Sequence, residues 1–144
     1  MRVMVMVKAT ADSEAGNMPS SEMLQAMGEY NAKLIEAGIM QAGEGLKPSS
    51  EGKRIAFDGA DRRVEDGPFG GTSDLVAGFW IWKVRDMDEA VDWARKCPNP
   101  MPGPSKLEIR PIFEAEDFGD ALTPEVAETH DRNREKLQGG SGAA

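Results

Sequence analysis

Histidine and cysteine, the side chains behind most nucleophilic and metal chemistry, are nearly missing: the 144 residues hold one of each, His130 and Cys97. A single cysteine closes no internal disulfide, which fits a reducing cytoplasm, and the ordinary role of such a thiol is to be buried. His130 and Cys97 are far apart and the carboxylates lack binding-loop spacing, so no metal or other cofactor is expected. Long apolar runs are missing too. Nothing approaches the roughly 18 residues a membrane helix needs, so no membrane partner is expected. Arg2 followed by Val3, Met4, Val5, Met6 and Val7 has the charge order of a signal peptide. The run falls short of an h-region of about 7 to 15 residues and reads as a strand. Positive charge is outnumbered, with 17 Lys and Arg against 25 Asp and Glu, a net charge of −8. That balance excludes nucleic acid as the expected partner, because phosphates call for clustered cations. Lys53, Arg54, Arg62 and Arg63 are the local exception, and a solvated hairpin face accounts for them more simply than an anion site.

What is present suits one domain with one core. Val3, Val5 and Val7 alternate with Met4 and Met6, which predicts a central strand apolar on both faces. Lys8 to Met18 is polar and reads as a loop. Ser20 or Ser21 caps a helix in which Met23, Leu24, Met27, Tyr30 or Asn31, Leu34 and Ile35 recur at helical spacing, and Gly38 ends it. Ile39 to Leu46 predicts a second strand. Gly43 and Gly45 within it signal a bulge or a close approach, with Glu44 between them. Lys53–Phe57 and Arg62–Glu65 predict a hairpin turning at Asp58-Gly59. Asp66 to Ser73 is loop by composition, and Ala77 to Val84 is a strand with Phe79 and Ile81 on one face and Trp80 and Trp82 on the other. Asp86 with Glu89 three residues on is the pattern of a capping box. Pro98 to Pro104 can only be a stiff connector, and Lys106 to Phe113 is the last core strand, pushed toward an edge by Pro111. Thr123-Pro124 starts a weakly amphipathic helix to about Leu137, followed by a flexible tail from Gly139 to Ala144.

The order strand, helix, strand, hairpin, strand, helix, strand gives an α+β, ferredoxin-like βαββαβ fold with an inserted β-hairpin and an antiparallel sheet. Helices on one side leave a second sheet face, expected to carry Trp and Met side chains. An apolar face of that size calls for a cover, and a second copy supplies it, so a homodimer with facing sheets is expected.

Asp66-Gly67-Pro68-Phe69, the aromatic strand Gly78-Phe79-Trp80-Ile81-Trp82, the closing Glu108-Ile109-Arg110-Pro111-Ile112 and Gly43-Glu44-Gly45-Leu46-Lys47-Pro48 occur in an order that resembles the YCII-related or DGPF-domain proteins. The likeness spans about residues 1–118 and implies a domain there, with a C-terminal helix and tail over 119–144. It also implies a dimeric α+β barrel of small bacterial proteins, some encoded beside extracytoplasmic-function sigma factors, which makes a sigma-factor association an expectation of the resemblance alone. Some relatives in the wider superfamily are enzymes on small aromatic or chlorinated compounds with a His–Asp pair as acid and base. Asp66 matches the carboxylate half. His130 lies outside the resembling region, so the imidazole half has no counterpart.

The candidate ligand-binding residues are therefore Glu44, Asp66, Gly67, Pro68, Phe69 and Trp80, with Asp66 as the candidate catalytic group. A general base needs burial or a neighbouring charge to bring its pKa toward working pH, whereas Asp before Gly-Pro commonly bonds the amides ahead of it. Two functional classes fit: a cytoplasmic, non-catalytic dimer that binds a small organic ligand near this turn, or an enzyme (lyase, isomerase or cofactor-free oxygenase) acting on aromatic compounds through Asp66.

Overall fold

The computed structural model describes residues 1–140. The chain forms two compact units, Met1–Pro111 and a second that begins at Ile112. The first contains β1 (Arg2–Lys8), α1 (Ala11–Glu14), α2 (Ser21–Glu36), β2 (Met40–Gly45), β3 (Lys53–Asp58), β4 (Asp61–Asp66), β5 (Val76–Lys83), α3 (Met87–Arg95) and β6 (Leu107–Pro111). A four-stranded sheet runs β2-β5-β1-β6 with every neighbouring pair antiparallel, and β3 and β4 form a separate two-stranded sheet. Setting that hairpin aside leaves βαββαβ with the strand order of a ferredoxin-like sheet, as the element order predicts. β6, which ends at Pro111, is an edge strand.

Each element begins and ends where its caps say. Ser20 Oγ accepts a hydrogen bond from Met23 N at 3.1 Å, and Ile39 N bonds back to Leu34 O at 2.9 Å beyond the last turn of α2. Asp86 Oδ1 accepts from Glu89 N at 2.9 Å. Glu89 reaches one residue past the usual partner, to Arg85 N at 3.0 Å. That backbone bond, followed by the Arg85 guanidinium, lowers the Glu89 carboxyl below its ordinary range. The expected loop after β1 contains α1, capped reciprocally by Thr10 and Ser13. Asp66 ends β4 and Thr72–Asp74 is a 3-10 turn, so the expected loop over Asp66 to Ser73 is shorter than its composition implies.

The core lies between the sheet and helices α2 and α3. Val3 faces Trp82 and Val5 faces Trp80 across the β1–β5 ladder, under Tyr30, Leu34 and Ala90. Tyr30 Oη donates to the Trp93 carbonyl at 2.6 Å, tying α2 to α3. Trp82 is fully buried, and its indole nitrogen has no hydrogen-bond partner among the described residues. Both tryptophans therefore belong to the helix-covered face, which corrects the expectation that they lie on the second face. Valine alternation on β1 decides the matter: its small β-branched side chains leave room for the two indoles opposite, while the flexible methionines point away. The second face carries Met4 opposite Ile81 and Met6 opposite Phe79, all half-buried, with Arg110 and Glu108 in register beside them.

In the second unit, a 3-10 segment (Ala115–Ala121) leads to α4 (Pro124–Gly140), which is exposed along nearly its whole length. Thr123 Oγ1 caps it by accepting from Val126 N at 3.3 Å. Gly139 and Gly140 belong to this helix rather than to the expected tail, and residues 141–144 lie outside the described residues. No helix among the described residues is long and apolar enough to cross a membrane.

Candidate functional site

A cavity of about 860 Å³ opens beside α2. Gly43, Ala77 and Trp80 line it from the sheet, Met23, Met27 and Asn31 from α2, and Pro100, Met101 and Pro102 from the proline-rich connector. The α1 segment supplies Asp12 and Ser13, and the chain leaving β2 supplies Lys47 and Pro48. The sheet wall depends on Gly43, where a Cβ would stand 2.8 Å from Trp80 Cδ1 and from Met40 Cε. The missing side chain admits the indole, which is the close approach that glycine inside a strand signals. The ladder irregularity of β2 falls elsewhere, between Met40 and Ala42.

Trp80 is only 5% exposed and held on two sides. The Tyr30 ring meets it edge-on at 6.2 Å, and its Nε1–H donates to Asn31 Oδ1 at 2.9 Å. Met101 is fixed by a hydrogen bond from Thr10 Oγ1 to its sulfur at 3.4 Å.

Of the candidate residues, Glu44 and Trp80 line this cavity and Asp66, Gly67, Pro68 and Phe69 do not. Glu44 is exposed on β2, in register with Phe79. Asp66 carries a side chain 75% exposed and bonded to Lys53 Nζ at 2.5 Å, so the buried setting that a general base calls for is not found there. Its carboxylate takes Lys53 instead of the amides ahead of it. Those amides have other acceptors: Gly67 N donates to Gly52 O at 3.0 Å and Phe69 N to Ser49 Oγ at 3.1 Å. Ser49 in turn donates from N and Oγ to the Glu14 carboxylate at 3.0 and 2.5 Å. The Gly67–Pro68 bond is cis, and a Cβ on Gly67 would fall 1.7 Å from Ser49 O. The Arg54 guanidinium lies 3.9 Å over the Phe69 ring. The turn thus grips Ser49, one residue past Pro48 on the cavity rim, and through Ser49 holds the end of α1. Of the four hairpin cations, Lys53 takes Asp66, Arg54 takes Phe69, and Arg62 bonds the Gly59 and Asp61 carbonyls and covers Phe57.

The remaining titratable groups near the core are poor acid–base candidates. Burial, then the Cys97 charge, pushes the Tyr30 hydroxyl above its usual range, and burial pushes the Cys97 thiol up to about 11. Both are donors to backbone carbonyls, Trp93 and Pro98 respectively. No cluster of three His, Cys, Asp or Glu with metal-holding geometry occurs among the described residues. Asn31 and Met101 are site residues that the sequence reading passes over. Asn31 sits within a helical stripe otherwise assigned to packing, and the placement of Met101 depends on how a proline-rich connector folds back.

The solved structure of 5-chloro-2-hydroxyhydroquinone dehydrochlorinase from Burkholderia phenoliruptrix AC1100, in complex with 2,5-dihydroxybenzoquinone, is similar to this chain with a TM-score of 0.46 at 15% identity, covering 81% of this chain and 98% of that one. An uncharacterised protein of Rhizobium meliloti (strain 1021) is 28% identical over 90 residues, which is 62% of this chain and 73% of the relative. The profile of the YCII-related domain matches residues 1–116, so the chain belongs to the YCII-related domain family.

Proposed function

We propose that the protein binds a small organic molecule in the cavity beside α2. The observation that carries this reading is the cavity itself: about 860 Å³, with methionines, prolines and Trp80 prominent among its apolar walls and Asn31 as a polar group anchored on the indole. Sites for small molecules are typically concave spaces of roughly 300 to 1,000 Å³, mostly apolar, with a few placed polar groups. Methionines suit such a wall because the thioether is polarizable and adapts its shape to a ligand. Asp66 and the Gly67–Phe69 turn enter this reading as the brace of the rim and not as ligand contacts. A thermal-shift screen of aromatic ketones, quinones, aromatic acids and small anions tests it: an apolar hit that also changes tryptophan fluorescence is expected. A screen in which only small anions stabilise the fold would overturn it.

A homodimer completes the proposal. Met4, Met6, Phe79 and Ile81 form a contiguous apolar strip on the second sheet face, and facing sheets of two copies would bury both strips. Catalysis at Asp66 remains the alternative function, with the resemblance to His–Asp enzymes as its support and no paired imidazole to complete it.

A further inference from the structure

We infer that the cavity is coded for a neutral ligand that presents a carbonyl oxygen to Asn31, an inference that rests on the cavity being the binding site. The orientation of the Asn31 amide follows from chemistry. An indole N–H is a donor only, so the oxygen of the amide, and not its nitrogen, must face Trp80 Nε1. Oδ1 is held there at 2.9 Å by a ring that is itself nearly buried and braced by Tyr30. The other half of the same amide is therefore a fixed Nδ2 with two N–H donors. It has no partner among the described residues, on a side chain that lines the cavity. The other side chains that α2 and the connector bring to the cavity, Met23, Leu24, Met27, Pro100, Met101 and Pro102, offer weak thioether acceptors or none. A ligand that buries this end of the cavity without supplying an acceptor leaves the Nδ2 donors unsatisfied; a ligand with a carbonyl at that point pairs them.

The acceptor is neutral on charge grounds. Asp12 and Glu44 stand at the rim, the chain carries a net charge of −8, and Lys47, the cation at the rim, is 81% exposed and lies 3.8 Å from Glu51. A carboxylate moved into these walls would trade its hydration for a single neutral amide, which does not compensate the loss. A ketone, aldehyde, lactone or amide carbonyl on an apolar body has no such cost.

The test compares two ligands of the same shape, 1-tetralone and 1-methylenetetralin, in which CH₂ replaces the carbonyl oxygen. Dissociation constants are measured by tryptophan fluorescence titration on the native protein and on Asn31→Asp. The expected result is tighter binding of the ketone by about 3- to 10-fold in the native protein, the range of one neutral hydrogen bond. In Asn31→Asp one carboxylate oxygen still accepts from Trp80, while the other replaces the donor. The ketone is expected to lose its advantage, and both probes to bind more weakly than in the native protein, because either one strips water from the new carboxylate. Equal affinities in the native protein, or a preference that survives Asn31→Asp, would overturn the inference and leave the cavity reading standing. Failure of both probes to bind would overturn both. The comparison on the native protein decides the matter even if the variant does not fold.

Discussion

Asp66 and Gly67 are adjacent, yet substitutions at the two positions meet different surroundings. Asp66→Asn removes the charge from a pair whose partners are 65% and 75% exposed, Lys53 and Asp66, and exposed pairs contribute about 0 to 1 kcal/mol. The variant is expected to unfold in urea within about 1 kcal/mol of the native protein and to bind cavity ligands unchanged. A large loss of ligand affinity would return Asp66 to the site. Gly67→Ala instead drives a methyl group into the Ser49 carbonyl, where neither backbone can yield cheaply. A loss of about 3 kcal/mol or more is expected from the same denaturation curves, at the upper end of what overpacking costs. Asp-Gly-Pro in sequence announces a turn; it does not announce that the turn closes on a serine eighteen positions earlier. Cys97 supplies a pH prediction. Its thiol stands at about 11 in the fold against 9.0 as its ordinary value, so the unfolded chain gives up the proton first. The stabilising effect is complete below pH 9 and is lost as pH rises toward 11. Urea midpoints over that window should fall more steeply for the native protein than for Cys97→Ala.

At the scale of elements, periodicity was informative and surroundings were not. The alternation of β1, the cap at Ser20, the Asp86 start and the edge position of β6 all follow from local chemistry, and the structure has each of them. Which face of β5 meets the helices does not, because both faces are apolar and period two alone assigns neither to the core. Only the register with β1, Val3 against Trp82 and Met4 against Ile81, decides it. The cavity was hidden for a related reason. Its walls come from α2, the sheet and the connector, and the aromatic strand contributes only its first half, Ala77 to Trp80. The Glu14–Ser49–Phe69 chain of hydrogen bonds joins α1, the β2–β3 connection and the turn after β4. Ser49→Ala leaves the Phe69 amide without its acceptor and Glu14 without one donor, and is expected to cost about 1 to 3 kcal/mol. Because Pro48 and Asp12 line the cavity on either side of that link, the variant should also weaken ligand binding, whereas Ser50→Ala should do neither.

At the scale of the whole molecule, the proposed homodimer rests on the second sheet face. Half-buried Met4, Met6, Phe79 and Ile81 make an apolar strip that extends across both central strands of the sheet, and Glu108 and Arg110 lie beside it as a polar margin. Two copies related by a two-fold axis place strip on strip and margin on margin, an arrangement in which one surface serves both partners. Each chain brings a net charge of −8, so association works against a long-range repulsion that salt relieves. Light scattering at micromolar concentration is expected to give twice the 15.6 kDa chain mass, with the dimer tightening as ionic strength rises. Phe79→Glu puts a carboxylate into the strip, between Met6 and Glu44, and is expected to yield monomers that keep the native circular dichroism. Ala32→Glu adds the same single negative charge at an exposed position of α2, on the other side of the sheet, and separates the effect of charge from the effect of place. A native protein that scatters as a monomer would remove the dimer, and a Phe79→Glu variant that remains dimeric would move the interface away from the sheet.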